Sequence, residues 1–174
     1  GEEFLKQTYM QLGKLESDDQ ISAARHLGAL PYVDAERIAI YGWSYGGFMT
    51  ALSMSRSDLF KAGIAVAPVT HWKFYDTAYT ERFMRMPREN PAGYNSWSPL
   101  DLADQLAGRL FLIHGTADDN VHVQNTYEYA DALVQAGKQF DMFVYSNRDH
   151  GIRGGNARMH LYQMKFDYLE RWLK

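Results

Sequence analysis

Two periodicities alternate along the chain. Short runs dense in apolar residues are separated by longer segments whose apolar positions recur three and four residues apart. The run Arg37-Ile38-Ala39-Ile40-Tyr41-Gly42 predicts a buried strand, and Ala62 to Ala67, closed by Pro68, predicts a second. Leu110 to Ile113, ending just before Gly115, and Phe140 to Tyr145 predict two more. Between them lie helical signals. Ser17-Asp18-Asp19-Gln20 reads as a capping box opening a helix with Ile21, Ala24 and Leu27 on one side and a stop at Gly28. Phe48 to Arg56, rich in Met, Ala and Leu, predicts a helix after the first strand. Val123, Tyr127, Ala130 and Val134 form a stripe ending at Gly137, and Met159, Tyr162, Phe166, Leu169 and Leu173 form the stripe of a final helix. Strands apolar on both faces, alternating with helices, predict an α/β domain with a parallel sheet covered on both sides. In such a sheet the reacting groups gather at the carboxyl ends of the strands.

Composition narrows the function classes. The chain has 174 residues, 46% hydrophobic and 22% charged, with no cysteine. That excludes disulfides, thiolate metal sites and a cysteine nucleophile. No apolar run approaches the roughly 18 residues of a membrane span, and mean hydropathy is -0.42. Gly1-Glu2-Glu3-Phe4 does not read as a signal peptide. The formal charge is -3, and Lys and Arg are scattered, so no nucleic-acid or anionic-lipid surface is expected. No metal and no cofactor is expected either, because no His and carboxylate cluster has ligand spacing. There is no internal repeat or linker-like tract, so residues 1–174 are treated as one unit.

The chemistry concentrates at the end of the first predicted strand. Gly42-Trp43-Ser44-Tyr45-Gly46-Gly47 is a G-x-S-x-G pattern between strand and helix, the context of a nucleophile elbow. A turn that tight strains the serine backbone, and glycine at the flanking positions is expected to avoid clashes between strand and helix. It also holds the Ser44 hydroxyl at a helix head, where the dipole and the amide of Tyr45 can meet a developing oxyanion. A serine needs a base, and the base an orienting carboxylate, in the chain order Ser, Asp or Glu, His. Of the six histidines, His26 precedes the serine and His160 sits on the last helix off its apolar stripe. His71 is not preferred. His114 ends the third strand ahead of any acid in its loop, and His122 lies only four residues after Asp118. His150, in the loop after the fourth strand, is the expected base. The acid is expected in Gly115-Thr116-Ala117-Asp118-Asp119-Asn120-Val121, and spacing leaves Asp118 and Asp119 open.

Four motifs in one order carry more than the elbow does. GWSYGG, AGIAVAPVTHWKFYDTAYTERF, LIHGTADDNVH and NRDHG together resemble the dipeptidyl-peptidase-IV-like catalytic domains of the prolyl oligopeptidase family of serine peptidases, from about Gly13 to the C-terminus. The resemblance implies an α/β-hydrolase fold and release of dipeptides from peptide N-termini after a penultimate proline or alanine. It implies Ser44 as nucleophile, Asp118 as orienting acid, His150 as base and the Tyr45 amide as an oxyanion donor. On pattern alone, Trp72, Tyr75, Tyr79 and Phe83 form a core-facing helical stripe. The resemblance instead assigns Val69, Trp72, Tyr75, Tyr79 and Val121 to an apolar slot for the proline ring, and Asn120 to a hydrogen bond with the substrate carbonyl.

The same resemblance sets further expectations. Family members carry an N-terminal β-propeller whose paired glutamates hold the substrate amine, and a second oxyanion donor, a tyrosine upstream of the region matching Gly1. Neither has a match here; Glu2 and Glu3 are not the propeller pair. Nucleophile elbows follow the fifth strand of a hydrolase sheet, which takes on the order of a hundred residues to reach. With Ser44 so near the start, the chain is expected to be the C-terminal part of a catalytic domain, truncated ahead of its first strand. That strand is expected to present an open edge and to favour self-association, a dimer above all. The competing readings are another hydrolase of the family (acylaminoacyl peptidase, tripeptidyl peptidase or esterase) and a chain that associates without turnover. The family suggests a secreted, periplasmic or membrane-associated setting.

Overall fold

The computed structural model describes residues 1–174. Four strands form one parallel sheet in sequential order: β1 (Ala39–Trp43), β2 (Ala62–Val66), β3 (Arg109–Gly115) and β4 (Phe140–Tyr145). Each is followed by helical structure, the crossover that parallel pairing requires. All of β2 is buried, and so is β3 beyond Arg109. These two central strands are the continuous apolar runs, as expected when both faces are covered. Successive residues feed opposite cores. Ala65, Leu110 and Leu112 pack with Ile21, Met54, Tyr129 and Leu133 on one face. Ile64, Val66, Phe111 and Ile113 pack with Leu161 and Tyr168 on the other.

The helices are α1 (Glu2–Leu5), α2 (Lys14–Gly28), α3 (Tyr45–Arg56), α4 (Thr77–Met84), α5 (Pro91–Ser96), α6 (Gln124–Gln135) and α7 (Ala157–Leu173). Helix α2 begins before the predicted capping box. Gly13 is its N-cap, and Glu16 reaches back to the Gly13 N–H at 3.0 Å. Ser17 is therefore inside the helix and fully buried, its hydroxyl donating to the Gly13 carbonyl. Helix α3 starts at Tyr45 rather than Phe48, with no loop between elbow and helix.

Two predicted helix faces are displaced. In α6, Tyr127 and Val134 are exposed, and the buried line is Asn125, Thr126, Tyr129 and Leu133. The polar members are buried because each has a partner: Asn125 Oδ1 accepts from Thr70 N at 2.9 Å, and Thr126 Oγ1 lies 2.7 Å from His114 Nδ1. In α7 the predicted stripe turns outward at Met159 (76% exposed), Tyr162 (51%) and Phe166 (58%), although Leu169 and Leu173 pack partly on the core. The buried face is Ala157, Leu161, Lys165 and Tyr168. Lys165 belongs there because its stem is apolar and its ammonium sits 4.1 Å from the Tyr41 ring centre and 3.9 Å from that of Tyr162. Strand β1 pairs only with β2 and is one edge of the sheet, as β4 is the other. No helix is long and apolar enough to cross a membrane.

Burial, with Arg158 adding a second positive charge nearby, pulls the Lys165 amine down to about 8 from its usual 10.5. Below pH 8 the folded state carries a poorly solvated ammonium; between about 8 and 10.5 the unfolded chain binds the extra proton, so stability rises with pH. Lys165→Met is accordingly expected to raise the urea midpoint at pH 7, and the advantage should shrink as pH climbs through that window. A variant no more stable than wild type at pH 7 would contradict the assignment.

Candidate active site

Ser44 makes the whole reversal between β1 and α3. Its backbone is at φ 61°, ψ -118°, a conformation that costs a non-glycine residue about 1–3 kcal/mol. The strain is held by neighbours: Ser44 N–H donates to the Val66 carbonyl at 2.8 Å and Phe48 N–H to the Ser44 carbonyl at 3.0 Å. Two glycines make the turn possible by letting backbone approach backbone. A Cβ on Gly42 would lie 2.0 Å from the Gly46 oxygen, and one on Gly47 would lie 2.9 Å from the Val66 oxygen. Gly46 departs from the expectation, since a Cβ there would meet nothing within 4 Å. The steric need thus falls on Gly42 and Gly47. Ser44 is half-buried at the head of the twelve-residue α3, where first-turn amides, that of Tyr45 included, have no intrahelical acceptor.

The loop after β3 brings the carboxylate to the imidazole. Asp118 Oδ2 lies 2.7 Å from His150 Nδ1, and Oδ1 accepts the backbone N–H groups of Asn120 (3.0 Å) and Val121 (2.9 Å). Of the two adjacent aspartates only Asp118 makes this bond; Asp119 is exposed. Burial alone would raise the Asp118 carboxyl, but hydrogen bonds from His114 and His150, the Asn120 amide and the His150 charge hold it well below the usual carboxylate range. His150 is partly exposed, and its carbonyl accepts the Trp43 indole N–H at 2.9 Å, tying its loop to the strand that delivers the serine. No hydrogen bond joins Ser44 Oγ to His150, a looseness common in sites without substrate.

Beside Ser44 is a cavity of about 120 Å³ lined by Tyr45, Val69, Trp72, Tyr75 and Tyr79. The expected helical stripe is broken here: Trp72 belongs to a 3-10 turn (Trp72–Phe74), Tyr75 is extended, and only Tyr79 and Phe83 lie on α4. The break turns the rings onto one another. Tyr79 stacks on Trp72 at 5.8 Å, Tyr75 meets both edge-on, and Tyr45 lies 5.5 Å from Trp72. Val121 packs behind this wall in the same apolar cluster and does not face the cavity. The Tyr75 hydroxyl donates to Asn120 Oδ1 at 2.9 Å, which leaves the Asn120 amide hydrogens free to donate.

Three residues that pattern did not single out converge on these groups. His114 is fully buried against Asp118, Trp43 holds the His150 loop, and Glu16 accepts the Tyr45 hydroxyl at 2.7 Å. The signal for His114 was its place, the last-but-one residue of an apolar strand four before the acid. The other histidines stay apart: His26 and His122 are exposed, His71 is buried 3.3 Å from Asp101, and His160 meets the Tyr145 hydroxyl. No group of three or more His, Asp or Glu side chains converges as a metal ion would require.

The model of the prolyl oligopeptidase family matches residues 1–174. A probable dipeptidyl-aminopeptidase B of Metarhizium robertsii is 47% identical over 167 residues, which are 94% of this chain and 18% of that protein. The mouse (Mus musculus) prolyl endopeptidase FAP is 43% identical over 175 residues, 98% of this chain and 23% of its own. The crystal structure of Porphyromonas gingivalis dipeptidyl peptidase 4 superposes with a TM-score of 0.95 at 58% identity, over 97% of this chain and 24% of that one. The fold is accordingly the α/β-hydrolase fold, and the chain spans about a fifth to a quarter of the length of these relatives.

The glycine geometry separates two substitutions that look alike in the motif. Gly42→Ala is expected to destabilise by about 3 kcal/mol or prevent folding, because neither backbone can yield, whereas Gly46→Ala, in open space on a helix, should change stability by less than about 1 kcal/mol. Chemical denaturation of both variants checks this, and equal losses would refute it.

Proposed function

The chain belongs to the prolyl oligopeptidase family, and from that premise we propose that it carries the triad and proline pocket of a serine exopeptidase that releases dipeptides after a penultimate proline or alanine. The observation that supports this best is the pairing of a strained, half-buried Ser44 with an aromatic slot that shares its wall. At about 120 Å³ the slot is far below the roughly 300–1,000 Å³ of drug-sized sites, so it takes one small apolar side chain. Rigid rings around it recognise a ring without polar atoms at little entropic cost.

In this mechanism Ser44 Oγ attacks the carbonyl carbon of the residue in the slot while His150 Nε2 accepts the hydroxyl proton. The imidazolium is stabilised through Nδ1–H by Asp118, whose lowered pKa keeps it ionised across the neutral range. The Tyr45 N–H and the α3 dipole receive the oxyanion. The tetrahedral intermediate collapses as His150 returns the proton to the leaving amine, giving an acyl-enzyme. Water, deprotonated by the same imidazole, then releases the dipeptide and restores Ser44. Asn120, oriented by the Tyr75 hydroxyl, donates to the substrate carbonyl and sets the peptide in line.

The likeness to a protein named a prolyl endopeptidase motivates a second reading, in which the same slot serves cleavage within longer or N-blocked peptides. A Gly-Pro anilide with a free amine and its N-acylated counterpart separate the two. The protein containing this chain is expected to cleave the free-amine anilide preferentially. Ser44→Ala should abolish cleavage, Asp118→Asn lower kcat about ten-thousandfold by analogy with other triads, and Asp119→Asn have little effect. Preference for the acylated substrate favours the second reading, and equal rates for wild type and Ser44→Ala end both.

A further inference from the structure

His114 is the most thoroughly enclosed polar group beside the triad, fully buried on β3 under the loop that carries the acid. Its Nε2 faces two acceptors, the Val121 carbonyl at 2.8 Å and Asp118 Oδ2 at 3.1 Å. An unprotonated nitrogen between two oxygens would repel both, so Nε2 carries the hydrogen. The other nitrogen, Nδ1, is 2.7 Å from the Thr126 hydroxyl, and a neutral ring accepts that hydroxyl's hydrogen. The direction of the chain follows: Thr126 donates to His114, and His114 to Asp118 and Val121. Asp118 Oδ2 thus receives two imidazole N–H groups, one from His114 and one from His150.

We propose that His114 is a positioning residue, a neutral Nε2–H donor that fixes Asp118 Oδ2 toward His150 and tempers the basicity of that imidazole. The inference rests on the triad reading above. Rotation of the Asp118 carboxylate is blocked at both oxygens, Oδ1 by backbone amides and Oδ2 by His114, so the bond to His150 is ready before substrate arrives. Sharing one oxygen between two donors spreads the carboxylate charge. His150 then feels less of it than it would as the only donor. The Val121 contact adds a second consequence, since the same N–H holds the segment packed behind the aromatic slot. The titratable and charged groups around His150 are Asp118 and His114 from the β3 side, with the Tyr75 hydroxyl across the slot near Asp118, and Arg148, Asp149 and Arg153 on its own loop.

Histidine 15N resonances of the chain, followed from pH 5 to 9, test this together with fluorophosphonate labelling of Ser44. In the unaltered chain His114 should remain a neutral Nε2–H tautomer throughout; an Nδ1–H tautomer or an imidazolium overturns the proposal without any variant. His114→Leu should raise the His150 midpoint by about half a pH unit or more and slow labelling at pH 7 about tenfold or more. His114→Gln, which restores an N–H toward Asp118, should bring the midpoint back. A purely structural role predicts a less stable His114→Leu with an unmoved midpoint, and that result, or a His114→Gln midpoint displaced as far as the leucine variant's, is fatal to the idea. If His114→Leu does not fold, the tautomer and the glutamine variant decide. Failure of the unaltered chain to label at Ser44 counts against the triad reading alone, because the resonances still report the link between His114, Asp118 and His150.

Discussion

The approach of α3 to β1 at Gly42 is the constraint on which the rest of the site depends. The Gly46 carbonyl occupies the space a Gly42 side chain would fill, so strand passes to helix through one residue. That residue must take up the entire change of direction, and Ser44 does so at a positive φ that a side-chain-bearing residue adopts only under compulsion. The compulsion comes from the sheet: the Ser44 amide is bonded to Val66 at the end of β2, while α3 is packed against both β1 and β2. Relaxing the serine would mean lifting a helix whose residues from Gly47 to Ser55 are buried. The strain is small beside that packing, and it leaves Ser44 on the lining of the slot.

The opposite side of the site is built on the contrary principle. Ser44 Oγ has no hydrogen-bond partner within the protein, whereas Asp118 receives four N–H groups on two oxygens. A buried carboxylate with that many donors has no reason to move or to protonate. His150 lies partly exposed, held at its carbonyl by Trp43 and at Nδ1 by Asp118. A fixed carboxylate, a strained serine and an imidazole anchored by two bonds suit the proposed relay, in which one proton passes from serine to the leaving group and another from water back to the serine.

Legibility in the sequence divided along the nature of the signal. Central strands were plain because β2 and β3 are buried on both faces, and the elbow was plain because its glycines and serine have fixed spacing. Helix faces were read less well, for a physical reason. Hydropathy treats a polar residue as a surface residue, and on these two helices three such residues are buried with partners: Thr126 by His114, Asn125 by Thr70, and Lys165 by two rings. On α7, apolar residues continue most of the way round, so the stripe without a lysine looked like the buried one, yet the lysine's face is inside. Ser17 failed similarly, since a serine that bonds its own preceding turn is compatible with a helix interior and needs no cap. Spacing left Asp118 and Asp119 open as the partner of His150 and set His114 aside, because it does not show that the acid loop folds back over its own strand and meets a histidine only four residues away as well as the one from a distant loop.

Tyr45 shows how far the catalytic geometry reaches into the scaffold. Its amide is the first of α3, next to Ser44, its ring walls the slot, and its hydroxyl is bonded to Glu16. The other oxygen of Glu16 accepts the Gly13 amide at the start of α2, so one carboxylate both caps a helix and holds a wall of the pocket. Arg56, at the far end of α3, reaches the same first turns of α2 through Asp18 and the Lys14 carbonyl. Helix α3 is thereby tied to α2 at both ends, and a shift of α2 would carry the residue after the nucleophile with it. Because a phenylalanine at position 45 would keep the ring and the amide but leave Glu16 Oε1 with no donor, the hydroxyl is the group that couples α2 to the pocket. The packing of a helix remote from the triad thus enters the geometry in which the oxyanion would be received.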